Sequence, residues 1–215
     1  MSFTKEQLQE MAAQLSRPQG DEGIKVANMM HQSNFGMTKS TVEALKIKDN
    51  EKILELGHGN GKHIPFVLEQ AENIRYFGLE IAETMKKEAE QLNESSASSF
   101  YIFNGTLIPF EDRTFEKAFT VNTIYFWENP VQLLENFYRA LKPGGLLAIG
   151  YAQKEFMEML PFTKYGFTLY CDNEFQELIA KTSFKLVNLS NHKEQITSKA
   201  GDKVERLYTV ATLKR

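Results

Sequence analysis

Apolar and polar positions change rhythm along the chain. Behind Thr4, whose side chain can cap a helix, Leu8, Met11, Ala12 and Leu15 recur at helical spacing until SRPQGDEG, Ser16 to Gly23, interrupts them. Two more helices are predicted over Glu22 to His31 and Thr38 to Leu45. From Glu51 onward, short apolar runs alternate with amphipathic stretches. Strands are predicted over Lys52 to Leu56, Arg75 to Glu80, Ala97 to Phe103, Phe115 to Asn122 and Leu146 to Tyr151. Helices separate them near Lys62 to Glu72, Ala82 to Asn93 and Val131 to Leu141. A helix capped by Asp172 should run to Thr182, and Phe184 to Ser190 and Val204 to Leu213 should pair as an antiparallel hairpin. Such alternation implies right-handed crossovers and a mainly parallel sheet.

The run ILELGHGNGKHI, Ile53 to Ile64, places glycines at every second position, Gly57, Gly59 and Gly61, directly after a strand. Without Cβ atoms a tight loop lets backbone and ligand touch, and in an open parallel sheet the first strand borders the crevice where ligands bind. The spacing separates two cofactor classes. A dinucleotide fingerprint needs its third glycine where Lys62 stands, so NAD fits poorly. Glu55 would repel a pyrophosphate and attract a cationic ligand such as S-adenosylmethionine (SAM). Glu80 ends the next strand, where a carboxylate accepts from ribose hydroxyls, a group common to both cofactors.

Composition narrows the partners. The 215 residues, 42% hydrophobic with 16 Phe and 8 Tyr, suit one domain: an N-terminal helical cap (1–45), a core (46–151), and a substrate-side insertion with closing hairpin (152–215). A net charge of −3 with dispersed Lys and Arg offers no footprint for nucleic acid or anionic lipid. MSFTKEQLQEM lacks the apolar core of a signal peptide, no run reaches the length of a membrane span, and Cys171 is alone, so a cytoplasmic protein is expected. His58 and His63 have the wrong spacing for a metal pair and no cluster completes one, so no metal is expected.

ILELGHGNG, FGLEIAE, FNGTLIPFEDRTFEKAFTVNTIYFW and LKPGGLLAIGY resemble, in order and spacing, the class I SAM-dependent methyltransferases, particularly their small-molecule type 11 branch. The resemblance covers about Thr38 to Tyr151. It implies an α/β, Rossmann-like three-layer sandwich, with a seven-stranded, mostly parallel sheet whose last strand is antiparallel, and an enzyme of the EC 2.1.1 class. SAM would lie across the ends of the first, second and fourth strands and leave as S-adenosyl-L-homocysteine. Glu55, Gly57, His58, Gly59, Asn60 and Gly61 would then meet its methionine end, Glu80 its ribose and Ile81 its adenine. Asn104, Gly105, Thr106 and Asn122 complete the cofactor-side set. Asn104 stands where the family usually has an aspartate accepting from the adenine amine, and His58 is large for its position and expected to point outward.

VNTIYFWENP, Val121 to Pro130, is expected to put Tyr125 and Trp127 either on the rim of the pocket or simply over the core at a strand end, and Phe162 and Tyr170 in the insertion Lys154 to Tyr170 are candidate substrate contacts or part of a packed flap. The absence of an Asn-Pro-Pro-Tyr or Asp-Pro-Pro-Tyr tetrapeptide there argues against exocyclic base amines, leaving a small, partly apolar acceptor. No catalytic residue is assigned. The competing readings are a catalytically silent SAM-binding protein and an NAD-dependent oxidoreductase.

Overall fold

The computed structural model describes residues 3–197 and 203–215. Two helices, α1 (Lys5–Ser16) and α2 (Gly20–Ala44), precede the alternating region: β1 (Lys52–Leu56), α3 (Ile64–Leu68), β2 (Arg75–Glu80), α4 (Glu83–Leu92), β3 (Ser98–Ile102) and β4 (Phe115–Val121). Then come α5 (Pro130–Ala140), β5 (Leu141–Ala152), α6 (Lys154–Glu158), α7 (Asp172–Ile179), β6 (Lys185–Thr197) and β7 (Lys203–Lys214). The strands form one seven-stranded sheet ordered β3-β2-β1-β4-β5-β7-β6. All neighbours from β3 to β5 are parallel, and β7 runs antiparallel to both β5 and β6. The expected sandwich and reversed last strand are present.

Alternation within strands sorts the core into two layers. Ile53, Tyr76, Phe119 and Ala148 pack with Val42 of α2, Leu45 at its C-terminal cap, and Ile64 and Val67 of α3. Leu54, Leu56, Leu79, Leu147 and Ile149 face the opposite layer, with Leu133, Leu134 and Phe137 of α5 and Phe175 and Leu178 of α7. Glu55 therefore shares the Ile53 face. From β1 the chain builds outward through β2 and β3, then returns to place β4 on the other side of β1. The β1/β4 boundary is thus the topological switch point where a crevice opens.

Several elements differ from expectation. The two helices predicted over Glu22 to His31 and Thr38 to Leu45 are one, α2, continuing through Gln32 to Met37. A Cβ on Gly36 would sit 2.2 Å from Glu194 Oε2, so this glycine marks close approach of the β6/β7 hairpin, not a helix break. Arg206 from β7 also donates to Asn34 Oδ1 and the Ser33 carbonyl, holding this polar stretch against the hairpin. The helix expected over Lys62 to Glu72 shrinks to α3. The α7 cap is Cys171, not Asp172: Asp172 instead accepts from Thr209 Oγ1 and Asn191 Nδ2, and the helix stops at Ile179. β6 and β7 pair as predicted but are longer, with register from Lys185↔Lys214 to Thr197↔Lys203.

Candidate active site

All three loop glycines have positive φ, Gly57 +78°, Gly59 +55° and Gly61 +70°, but for different physical reasons. A Cβ on Gly57 would fall 2.4 Å from Thr123 Cγ2, and one on Gly61 would be 2.9 Å from Ala89 Cβ. Those two are packing glycines. Gly59 has nothing within 4 Å of its would-be Cβ and faces open space. That space is a cavity of about 230 Å³ at the switch point, bordered by Gly57, Gly59, Glu80, Ile81, Phe103, Asn104, Gly105, Thr106 and Asn122.

Glu80, buried at the end of β2, joins loop and strand. Its Oε2 accepts from Gly59 N at 2.9 Å, and its Oε1 accepts from Ile81 N at 2.8 Å and Ala82 N at 3.0 Å. The carboxylate fixes the loop and still lines the cavity. Asn104 Oδ1 accepts from Thr106 N, Thr106 Oγ1 and Leu107 N, so its oxygen is committed to its own turn. Gly105, φ +89°, is open like Gly59. A backbone cradle open at two glycines, a carboxylate, and apolar Ile81 and Phe103 fit a nucleoside with a charged tail.

Beneath the loop, Glu55 Oε2 accepts from Tyr76 Oη at 2.5 Å and pairs with His63 Nε2 at 2.8 Å, all three groups being buried. Burial, then the Glu55 charge, pushes the Tyr76 phenol well up. With His58 and Asn60, the glutamate borders a smaller cavity of about 90 Å³ that also touches Gly57 and Gly59. The His63 contact was missed from sequence, because a partner eight residues along follows no secondary-structure period. Among the described residues no cluster of three or more His, Cys, Asp or Glu is positioned for a metal.

His58 does not point outward. It is 3% exposed, lies edge-on to Phe100, and its Nδ1 is 2.8 Å from the Gly59 carbonyl. A carbonyl only accepts, so Nδ1 carries the proton and Nε2 is left a buried acceptor without a partner. Burial lowers its pKa below the ordinary 6.5, which keeps the ring neutral. The unfolded chain therefore binds more protons below about pH 6.5, and the stability His58 contributes is complete above that pH and lost as pH falls through it. His58→Gln should lose less stability than wild type between pH 7.5 and pH 5 in urea unfolding. Equal losses would show the imidazole is not a source of the acid sensitivity.

A second, apolar cavity of about 340 Å³ adjoins the first. α1 contributes Leu8, Met11 and Leu15, α2 Met29 and Met30, the β4/α5 connection Tyr125 and Phe126, the insertion Phe156, Met157 and Phe162, and the hairpin Arg206. Leu15, Met30, Asn122 and Phe126 border both cavities. The expected substrate candidates thus divide. Tyr125 and Phe162 line the apolar cavity. Trp127 lines the cofactor-side cavity instead, donating from Nε1 to Thr123 Oγ1 at 3.2 Å. Tyr170 lines neither and is packed in the core, its carbonyl accepting from Lys154 N. Arg206, also missed, is 4% exposed and bound by Glu194, Asn34 and the Ser33 carbonyl.

Comparison with known proteins agrees with this geometry. Residues 54–149 match the family model described as a methyltransferase domain, type 11. A bifunctional biotin biosynthesis protein BioHC of Teredinibacter turnerae is 34% identical over 108 residues, covering 46% of this chain and 19% of that protein. Erythromycin 3''-O-methyltransferase of Saccharopolyspora erythraea is 26% identical over 125 residues, covering 56% of this chain and 41% of its own length. The chain therefore spans less than half of either relative. Among solved structures, the chain bound to the Trm112 methyltransferase activator in a Haloferax volcanii complex superposes with TM-score 0.76 at 16% identity, over 91% of this chain and 96% of that one. With the switch-point crevice, the glycine cradle and the reversed last strand, these matches identify residues 54–149 as a methyltransferase domain and give the chain the fold of the class I SAM-dependent methyltransferases.

Proposed function

We propose that the protein transfers the methyl group of SAM to a small, partly apolar acceptor held in the larger cavity. The observation that carries this reading is the pair of adjoining cavities, one bordered by Gly59, Glu80 and Gly105 and the other apolar, sharing a wall of Leu15, Met30, Asn122 and Phe126. When bound, SAM supplies an electrophilic methyl on a sulfonium. Gly59 and Gly105 would receive it along their backbones, Glu80 would accept from the ribose, and Ile81 and Phe103 would cover the adenine. Neutral His58 places no like charge near the sulfonium.

In-line transfer needs alignment and exclusion of water more than proton chemistry. Phe126, Phe162 and the α1 side chains supply apolar walls for that purpose. The net charge of −3, with Lys and Arg dispersed along the sequence, does not favour a polyanionic substrate. A screen with methyl-labelled SAM against small phenols, amines and thiols, alongside tRNA, DNA and protein extract, should label small molecules. Label confined to macromolecules would refute the acceptor class, and tight SAM binding with no transfer would favour a silent SAM-binding protein.

A further inference from the structure

We propose that the acceptor is a predominantly apolar thiol methylated as its thiolate, and that the described residues lining the larger cavity supply it no general base. The proposal rests on the methyltransferase reading above and concerns what the larger cavity lacks and holds. The reacting atom must meet the methyl at the shared wall, where Asn122 is the one polar residue. Its Oδ1 already accepts from Tyr125 Oη at 2.9 Å and Ala152 N at 3.3 Å.

Beyond that wall, the polar side chains lining the cavity among the described residues are Ser33, Asn34, Tyr125 and Arg206. None is a carboxylate, imidazole, amine or thiol. Tyr125 is a poor proton acceptor, since its hydroxyl accepts from Ala152 N at 2.6 Å and burial pushes its pKa well above the ordinary range. Arg206 is not free to hold an anion. Nε and Nη2 donate to Glu194, Nη1 to Asn34, and Nη2 also to the Ser33 carbonyl, so its charge is neutralised in place. A phosphate- or carboxylate-bearing acceptor finds no counter-charge here.

The acceptor must therefore arrive nucleophilic. Near pH 7 a phenol or alkylammonium is deprotonated in roughly one molecule in a thousand, whereas a thiol of ordinary pKa is a few per cent thiolate. A thiolate carries its one charge on a large, polarisable sulfur that the sulfonium faces directly at the reacting position, whereas a phosphate or carboxylate remote from that position would be buried without a partner. Met11, Met29, Met30 and Met157 line the cavity with soft, polarisable groups suited to sulfur. The thiol leaves its proton to water before entry. Its sulfur lone pair then forms the new S–CH₃ bond as the sulfonium S–CH₃ bond breaks, that electron pair staying on the departing sulfur, and a cation and an anion become two neutral thioethers.

The test uses the full chain with SAM and four probes: thiophenol, the less acidic benzyl mercaptan, p-cresol and benzylamine. We expect kcat/KM for thiophenol to exceed that of p-cresol and benzylamine by about tenfold or more, following the deprotonated fraction. The rising limb of the pH profile should come at lower pH for thiophenol than for benzyl mercaptan. Independently of turnover, benzyl methyl sulfide should raise the melting temperature and phosphoethanolamine should not. A limb fixed at one pH for both thiols would reveal a base in the chain and overturn the proposal. So would no transfer to either thiol, preference for p-cresol or benzylamine, or stabilisation by phosphoethanolamine alone. In each of these cases SAM binding by calorimetry preserves the methyltransferase reading, whereas absence of SAM binding removes both.

Discussion

Glu80→Ala weakens SAM binding by about 2–3 kcal/mol, a rise in Kd of roughly 30- to 150-fold, because charged hydrogen bonds to the ligand and the anchor of the glycine loop disappear together. The carboxylate holds Gly59 N, Ile81 N and Ala82 N. Its loss leaves three backbone donors without that partner, so unfolding free energy falls as well, by about 1–3 kcal/mol. Glu80→Gln separates the two roles: its one carbonyl oxygen can keep part of the loop anchoring, while the charge that favours the ribose hydroxyls is gone. Calorimetric Kd values with urea unfolding of both variants check this. A Glu80→Ala protein that binds SAM as wild type does would show that the carboxylate serves the loop alone.

Gly59→Val abolishes SAM binding while the fold survives. At φ +55° a β-branched residue is strained by about 1–2 kcal/mol, a modest fraction of a domain's stability, and no protein atom lies within 4 Å to clash with its Cβ. The branched side chain instead fills the space that faces the ligand. Gly57→Val is the contrast, since its Cβ would lie 2.4 Å from Thr123 Cγ2 and the damage is to packing. The unliganded melting temperature should fall little for Gly59→Val and much more for Gly57→Val. A normal SAM-induced shift in Gly59→Val would place the ligand elsewhere.

The parallel half of the fold was legible because each buried strand is a short apolar run closed by a loop signal. β1 and β2 have the bounds read from sequence, Lys52–Leu56 and Arg75–Glu80. α2 was misread as two helices because Gly36 and its polar neighbours look like a break locally. What keeps them helical is Arg206, some 170 residues away, with the hairpin against which Gly36 packs. The glycine loop and Glu80 were legible from local spacing. The neutral burial of His58, the Glu55–His63 contact and the saturation of Arg206 were not, since each depends on partners that the topology alone brings together. Trp127 and Tyr170 show the same limit: an aromatic in a connecting segment can face the cofactor-side cavity, the apolar cavity or the core, and sequence does not say which.

The crevice at the β1/β4 switch point is expected to take an S-adenosyl ligand. Calorimetric titration of the wild-type chain with SAM, S-adenosyl-L-homocysteine and NAD tests it most directly. Both S-adenosyl compounds should bind at a single site, binding should be lost in Gly59→Val, and NAD should give no heat of binding. Binding of NAD with neither S-adenosyl compound bound would contradict it.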